Sequence, residues 1–297
     1  MNMAVKDTPS LDPAEQSLPR LPFPPGTSDS HAHVCGPADT FPPSPDAAYP
    51  PPHAPVETYV EMLDRLGIAR GVLVQATPYG FDNSAVLDAL VRYPERLRGV
   101  ALAGPDIPDP DLERMAQVGV KALRFAYFPP GIRDIGGVGL DQIEPLAARM
   151  RDHGMHPQLW APCATTVEIL PRLLAHGLPI VLDHMARVSP EEGIEAPAFR
   201  RLLDFVRAEN VWVKLIPHRI SRQHFHYTDL RPFHEAFIEA APDRMLWGTD
   251  WPYVRMGDNT PDAGQLADLF CDWTSDESLR RKIFVDNPAR LFGFADA

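Results

Sequence analysis

Two histidines separated by one residue, His31 and His33, stand near the start of the chain in the segment SDSHAHV. Residues two apart in an extended strand project to the same face, so both imidazoles are predicted to point the same way. His184 follows the apolar run PIVLD, and Asp250 follows RMLWGT. Three imidazoles and one carboxylate could bind a single divalent ion, or they could polarise a carbonyl group and activate water without a metal.

The elements that must bring these four residues together alternate along the chain. Short segments rich in Val, Leu and Ile are separated by amphipathic stretches with apolar residues three and four apart, which is typical of helices. Alternating strands and helices predict a parallel sheet, and eight repeats favour a closed barrel over an open sheet. The predicted strands are 28–34, 71–75, 99–103, 120–125, 157–161, 180–184, 211–216 and 245–249.

The length of the chain, 297 residues, is sufficient for one (β/α)8 barrel of about 250 residues. Many of its 34 prolines fall early in the chain, where the fixed φ angle and the missing N–H donor disfavour regular structure. No GxGxxG motif follows the first predicted strand, so a dinucleotide-binding domain has no support. The predicted organisation is a Pro-rich N-terminal tail over residues 1–26 and a single α/β TIM barrel over residues 27–297.

Barrel enzymes place their chemistry at the C-terminal ends of the strands, and further candidate side chains are predicted to lie there. Arg124 closes the fourth strand, Trp160 closes the fifth, and Arg219 follows the seventh. Thr77 follows the second strand, and Tyr49 lies in a Pro-rich loop. Because a guanidinium binds a carboxylate through two parallel hydrogen bonds, the two arginines predict an acidic substrate. The alternative for each arginine is an ion pair that closes the barrel rim.

The balance of charge disfavours several classes of partner. The chain carries 40 acidic and 28 basic residues, a formal net charge of −12, which argues against binding to nucleic acid or to an anionic membrane surface. No apolar run approaches the roughly 18 residues of a membrane helix, and no signal peptide is visible. Three cysteines without CxxC spacing indicate reduced thiols. These features predict a cytoplasmic protein that acts on a small molecule, and they leave a homo-oligomer open.

Five segments in this order, SDSHAHVCGP, VQATPYGFDN, VLDHMAR, VKLIPHR and WGTDWPY, resemble the amidohydrolase-related family that contains the 2-pyrone-4,6-dicarboxylate lactonases. The similarity extends over roughly residues 23–293. It implies a distorted (β/α)8 barrel that hydrolyses a small anionic lactone in aromatic or sugar-acid catabolism. It also implies a general-base role for Asp250 on the attacking water, with the three imidazoles around the lactone carbonyl. The positions that contact substrate are matched by Arg124, Arg219, Tyr49 and Thr77.

Two departures from the family pattern leave the lactone open between a pyrone dicarboxylate, a muconolactone and a sugar-acid lactone. The lactonases carry a further basic residue after the fourth strand, where only Arg133 could substitute, and a tyrosine where this chain has Trp160. A bridged metal pair is not expected, because the fourth and fifth strands end in Arg124 and Trp160 instead of bridging ligands. The expectation is therefore no required cofactor, or a single divalent ion such as zinc held by the three histidines and the aspartate.

Two other functions are compatible with the same residues. One is a non-oxidative decarboxylase of the same superfamily, which would release CO₂ instead of opening a ring. The other is a catalytically silent barrel that binds a small acid. The convergent histidines and aspartate argue against the silent barrel, since binding alone needs no general base.

Overall fold

Eight parallel strands form one sheet in a computed structural model that describes residues 12–129 and 137–295. Each strand pairs with the next one along the chain, so the order in the sheet is the order in the sequence. The strands are Ser28–Ala32 (β1), Arg70–Val74 (β2), Leu97–Ala101 (β3), Val120–Ala126 (β4), His156–Trp160 (β5), Ile180–Leu182 (β6), Val211–Lys214 (β7) and Met245–Leu246 (β8).

The first and last strands meet at a seam that nearly closes the sheet into a barrel. The Asp250 N–H donates to the His31 carbonyl oxygen at 2.7 Å. Asp29 lies in the same seam, where its carboxylate accepts hydrogen bonds from the Thr249 N–H at 2.8 Å and from the Thr249 hydroxyl at 2.7 Å. The predicted α/β TIM barrel is confirmed.

Most of the helices cover the outside of the barrel with one apolar stripe. In the helix over residues 197–208, the side chains of Phe199, Leu202, Leu203 and Val206 are buried. None of the helices in the described residues is long and apolar enough to span a membrane. They are Val56–Leu66 (α1), Ser84–Arg92 (α2), Asp109–Gln117 (α3), Ile143–Asp152 (α4), Cys163–Leu174 (α5), Pro197–Ala208 (α6), Arg231–Ala240 (α7), Ala263–Trp273 (α8), Glu277–Arg281 (α9) and Asn287–Phe292 (α10).

Alternate strand residues enter two separate apolar clusters. Val72 and Val74 of β2 belong to a small cluster with Phe292 of α10, whereas Leu73 belongs to a much larger one that includes helix residues. Neighbouring side chains of a strand point to opposite faces. The small cluster therefore fills part of the barrel interior, and the large cluster attaches the sheet to its helices.

The last three strands are shorter than predicted, and the loops that follow them carry polar residues. β6 ends at Leu182, and the four residues His184–Arg187 then adopt left-handed backbone with φ of 47°, 53°, 54° and 46°. A strand cannot continue through such angles. His184 thus stands on a separate turn beyond the strand that was predicted to contain it.

Residues 12–26 of the predicted tail run along α8. The Ser17 N–H donates to the Asp262 carboxylate at 2.7 Å, and Arg20 forms an ion pair with Asp272 at 2.8 Å. A glycine on α8 permits this approach, because a Cβ at Gly264 would lie 2.1 Å from the Ser17 carbonyl oxygen. Residues 1–11 lie outside the described part of the chain, so the tail as a separate unit stays a prediction.

Candidate active site

The four residues with which the sequence analysis began meet at the carboxyl end of the barrel. His31 lies in β1 with His33 just beyond it, His184 begins the turn after β6, and Asp250 follows β8. The Asp250 Oδ1 atom lies 3.6 Å from His31 Nε2 and 3.5 Å from His33 Nε2. The rings of His31 and His184 are 4.8 Å apart between centroids. All four residues are at most 8% exposed, so bulk water does not screen their charges.

A cavity of about 400 Å³ opens over three of these residues. His33, His184 and Asp250 line it, whereas His31 lies behind them and has no exposed surface. The sequence analysis expected His31 beside the reacting carbonyl, and this placement makes its contact with substrate indirect. The same cavity is lined by the predicted substrate-contact residues Tyr49, Thr77, Arg124, Trp160 and Arg219. Arg133 falls outside the described residues.

Asp250 is held as a carboxylate by a cation. Its Oδ2 atom accepts a hydrogen bond from Arg219 Nε and lies 3.4 Å from His218 Nε2. Although burial opposes ionisation, Arg219 and the surrounding imidazoles hold the pKa of Asp250 well below its usual range. With Oδ2 occupied by these partners, Oδ1 is the oxygen that faces His31 and His33.

Both predicted substrate-binding arginines form ion pairs as well as lining the cavity. Arg219 Nε donates to Asp250, and Arg219 Nη1 donates to the Val254 carbonyl oxygen. Arg124 Nε donates to Asp183 Oδ2 at 3.1 Å. The ion pair that the sequence offered as an alternative is present for each arginine. Both side chains still reach the cavity wall, so the pair and a substrate contact do not exclude each other.

A second buried carboxylate, Asp183, connects several of these groups, and the sequence analysis did not single it out. Its Oδ1 atom lies 3.3 Å from His31 Nδ1 and 3.5 Å from Lys214 Nζ, and its Oδ2 atom binds Arg124. Desolvation opposes ionisation, but His31, Lys214 and Arg124 hold the pKa of Asp183 well below its usual range. Lys214 carried a signal that was overlooked, since it is the only charged residue in the apolar strand VWVK.

The surroundings of His31 Nδ1 determine what its other nitrogen can do. Lys214 Nζ donates hydrogen bonds to Gln158 Oε1 at 2.9 Å and to His31 Nδ1 at 3.3 Å. An acceptor lies at the same distance, because Asp183 Oδ1 is also 3.3 Å from His31 Nδ1. Burial, reinforced by Lys214, lowers the pKa of His31 to about 3, so the ring is neutral. If Nδ1 accepts from Lys214, the neutral ring carries its proton on Nε2 and turns it toward Asp250. If Nδ1 donates to Asp183, Nε2 presents a lone pair instead.

The hydrogen-bond partner of His33 Nδ1 indicates whether the Nε2 atom that faces Asp250 is a donor or an acceptor. Its Nδ1 atom lies 2.8 Å from the Val74 carbonyl oxygen, a partner that only an N–H can satisfy. In the neutral ring this leaves a lone pair on Nε2, 3.5 Å from Asp250 Oδ1. Two acceptor atoms at this separation require a shared donor such as water, or a cation. A water molecule that contacts both atoms would lie beside the line that joins them, because 3.5 Å is too short to hold it in between. A metal ion could also contact both atoms.

Two overlapping groups of side chains have the spacing of metal ligands. His31, His33 and Asp250 form one group, and His31, Asp183 and His184 form the other, with ligand atoms within 4.8 Å of one another in each. Two imidazoles and a carboxylate suit Zn²⁺. His31 Nε2 could bind an ion in the tautomer that has its proton on Nδ1, where Asp183 would accept it. The residues therefore fit one divalent ion.

The buried histidines make stability depend on pH. Burial lowers the pKa of His31, His156 and His234 to about 3, so the unfolded chain, with ordinary histidines near 6.5, binds about three more protons between these values. Asp29 opposes this, because burial raises its pKa to about 6 and the folded state holds its proton between pH 4 and 6. Burial lowers the pKa of His184 and His218 as well. The net uptake on unfolding is therefore at least two protons, and the free energy of unfolding should fall by at least roughly 3 kcal/mol per pH unit between about pH 5.5 and 4.

Thermal unfolding followed by circular dichroism between pH 7 and pH 4 measures this effect. The midpoint should fall on acidification, and His234→Gln should reduce the slope by removing one of the three imidazoles. His224→Gln is the matched control, since His224 is exposed. A midpoint that stays constant or rises as the pH falls contradicts the prediction.

An eight-stranded parallel barrel that gathers two histidines of its first strand, a histidine after the sixth and an aspartate after the eighth around one cavity defines the amidohydrolase class of enzymes. The chain belongs to the amidohydrolase family, whose model matches residues 28–294. It is 36% identical over 278 residues to the 4-sulfomuconolactone hydrolase of Hydrogenophaga intermedia, covering 92% of this chain and 91% of the relative. It is 34% identical over 289 residues to the 2-pyrone-4,6-dicarboxylate hydrolase of Comamonas testosteroni, covering 94% of each.

Solved structures support the same fold. A crystal structure from Agrobacterium tumefaciens without ligand superposes with a TM-score of 0.82 at 25% identity, covering 94% of this chain and 100% of that one. The decarboxylase alternative has weaker support. The gamma-resorcylate decarboxylase of Rhizobium radiobacter is 31% identical over 172 residues, which cover 50% of this chain.

Proposed function

We propose that this chain hydrolyses a carboxylated lactone and that Asp250 activates the water. The observation that carries the proposal is the position of Asp250 Oδ1, 3.6 Å from His31 Nε2 and 3.5 Å from His33 Nε2, at a cavity that Arg124 and Arg219 also line. The two hydrolases described above are named for a sulfo-substituted lactone and a pyrone dicarboxylate. Their similarity over nearly the whole chain supports the same class of substrate here.

In the proposed mechanism, water lies beside His33 Nε2 and Asp250 Oδ1, within hydrogen-bond distance of both atoms. The water gives a proton to Asp250 as its oxygen attacks the lactone carbonyl carbon, while His31 Nε2–H steadies the carboxylate from behind. Negative charge moves to the carbonyl oxygen, which the His184 imidazole stabilises. The ring C–O bond then breaks, and Asp250 returns the proton to the leaving ring oxygen. The product carries a new carboxyl group and a new hydroxyl group.

The two cationic side chains of the wall would hold the substrate. Arg124 and Arg219 each use Nε for a buried carboxylate, which fixes the guanidinium plane. Their remaining N–H groups suit the substrate carboxylate. The Trp160 ring, whose centroid lies 6.0 Å from the Arg124 guanidinium carbon, offers a flat apolar surface for the lactone ring.

A pH-indicator assay over pyrone, muconolactone and aldonolactone substrates tests the proposed function, because each ring opening near neutral pH releases one proton. We expect acid release with lactones that bear a carboxylate, and none from the Asp250→Asn variant. Release of CO₂ from an aromatic acid without lactone opening would favour the decarboxylase. No turnover of any lactone would overturn the proposal.

We further propose that turnover does not require a metal ion and that Lys214, by donating to His31 Nδ1, keeps the His31 proton on Nε2, where a metal would have to bind. When loaded, an ion would be held by His31, His33 and Asp250, and it would supply polarisation of the carbonyl. Dialysis against a strong chelator, followed by elemental analysis and the lactone assay, should leave more than half of the activity with less than 0.1 equivalent of zinc. Loss of activity that added zinc restores contradicts this prediction, as does binding of two ions per chain.

A further inference from the structure

Arg255 lines the same cavity as Asp250 but at its outer end. The side chain of Arg255 is exposed, whereas Asp250 is 1% exposed. The two residues therefore mark the outer and inner limits of the space that a substrate would occupy. The sequence analysis gave no role to Arg255, and the proposed hydrolysis does not use it.

The backbone holds Arg255 in a fixed position relative to Asp250. The Tyr253 N–H donates to the Asp250 carbonyl oxygen at 2.9 Å, which closes a tight turn directly after Asp250. Asp250, Tyr253 and Arg255 have φ of 61°, 60° and 64°, a left-handed conformation that is unfavourable for side chains other than glycine. Arg219 Nη1 also donates to the Val254 carbonyl oxygen, so the turn is tied to the arginine that pairs with Asp250.

The side chain of Arg255 is oriented by an aromatic ring. Its guanidinium carbon lies 5.5 Å from the centroid of Tyr49, within the range of a cation–π contact. Tyr49 comes from the loop between β1 and α1 and lines the same cavity. The contact leaves the N–H edge of the guanidinium available to an acceptor, because a ring contacts only its face.

Charge distinguishes Arg255 from the other arginines of the wall. Arg124 and Arg219 are each paired with a buried carboxylate. Across residues 12–129 and 137–295, Arg255 forms no ion pair, and Asp250 is the only carboxylate that lines the cavity. Within the part of the chain that the structure describes, no carboxylate pairs with Arg255, which thus presents a positive charge at the mouth of a site proposed to take an anion.

We propose that Arg255 binds a second acid group of the substrate, a carboxylate or a sulfonate on the side of the lactone ring away from the reacting carbonyl. This rests on the proposed lactone hydrolysis and narrows its substrates to dianionic lactones. Carboxylate and sulfonate oxygens both match the paired donors of a guanidinium. Arg255 is then the residue that discriminates a dianionic lactone from its singly charged counterpart.

Binding measured without turnover tests this directly. In titration calorimetry with the Asp250→Asn protein, the probes are two matched pairs: 4-sulfomuconolactone against muconolactone, and 2-pyrone-4,6-dicarboxylate against 2-pyrone-6-carboxylate. The preference is the ratio of the Kd of the singly charged lactone to the Kd of its dianionic counterpart. Adding Arg255→Met should lower this ratio at least tenfold, or about 1.4 kcal/mol, in the pair whose second acid group Arg255 binds. Arg255→Lys should restore part of the preference, because it keeps the charge. The pair that responds identifies sulfonate or carboxylate as the recognised group.

Arg200→Met on α6 is the matched control, since Arg200 is an exposed arginine that pairs with Glu195, and it should leave both ratios unchanged. The inference is overturned if Arg255→Met weakens the binding of both lactones of each pair equally, or if it weakens neither. If Arg255→Met abolishes the preference but the unsubstituted protein opens no lactone, the role of Arg255 is upheld and the proposed hydrolysis is overturned. If the unsubstituted protein opens a lactone but the Kd ratios do not change, the hydrolysis is upheld and the role of Arg255 is overturned.

Discussion

Asp250→Asn should remove nearly all lactone turnover while the barrel remains folded. The asparagine amide keeps the size of the side chain, and its oxygen can still accept the hydrogen bond from Arg219. It cannot accept the proton of the attacking water, and general-base catalysis of this kind contributes about 10²–10⁴-fold to the rate. We therefore expect kcat to fall by at least a hundredfold in the pH-indicator assay, with little change in the circular dichroism spectrum.

The matched control for this variant is Asp204→Asn. Asp204 lies on α6 and pairs with Arg207 on the exposed surface, so its loss should not alter turnover. Retention of more than a tenth of the wild-type kcat by Asp250→Asn would exclude Asp250 as the general base. The carboxylate would then serve only to hold Arg219 and the neighbouring imidazoles.

Asp183→Asn should lower both stability and turnover. Asp183 has no exposed side-chain surface and compensates the charges of Lys214 and Arg124. Removing one partner of a buried ionic network destabilises a protein by about 3–5 kcal/mol. Lys214 would also lose the carboxylate that favours its protonated form, and with it the hydrogen bond that we propose to set the His31 tautomer. We therefore expect a fall in kcat together with a fall in the free energy of unfolding in urea.

Asp268→Asn on α8 is the stability control for this variant. Asp268 pairs with Arg20 at the surface, and such a pair contributes less than about 1 kcal/mol. The contrast with Asp250→Asn is informative, because that variant should lower kcat much more than it lowers the free energy of unfolding, since its ion-pair partner Arg219 is partly exposed. An Asp183→Asn protein within 1 kcal/mol of wild type would show that the network contributes little to folding.

Much of the fold followed from local patterns in the sequence. Apolar segments such as 180–182 and 211–213 are too short for helices and suit buried strands. The stretch between two such segments is long enough for one helix. The two-residue spacing of His31 and His33 predicts that both project from one face of the strand, and both turn Nε2 toward Asp250 Oδ1 in the structure.

The ionic connections of the site could not be read in the same way. Lys214 and His31 are 183 positions apart in the chain, and their contact depends on the register of every strand between them. The same holds for Arg124 and Asp183, whose pairing crosses from β4 to the turn after β6. Sequence patterns located each side chain at a strand end, but only the closed barrel specifies which carboxylate each cation meets.

The left-handed turn that begins at His184 has a consequence for how this enzyme could change. Four successive residues, none of them glycine, have φ between 46° and 54°. This left-handed backbone costs each residue about 1–2 kcal/mol of conformational free energy. The burial of Met185 and Ala186 offsets part of that cost. β-Branched side chains would raise this conformational cost, so we expect residues 184–187 to tolerate few substitutions. Evolution of new substrate preference should therefore proceed through Thr77 and Tyr49 on the other loops, while the segment around His184 stays nearly invariant.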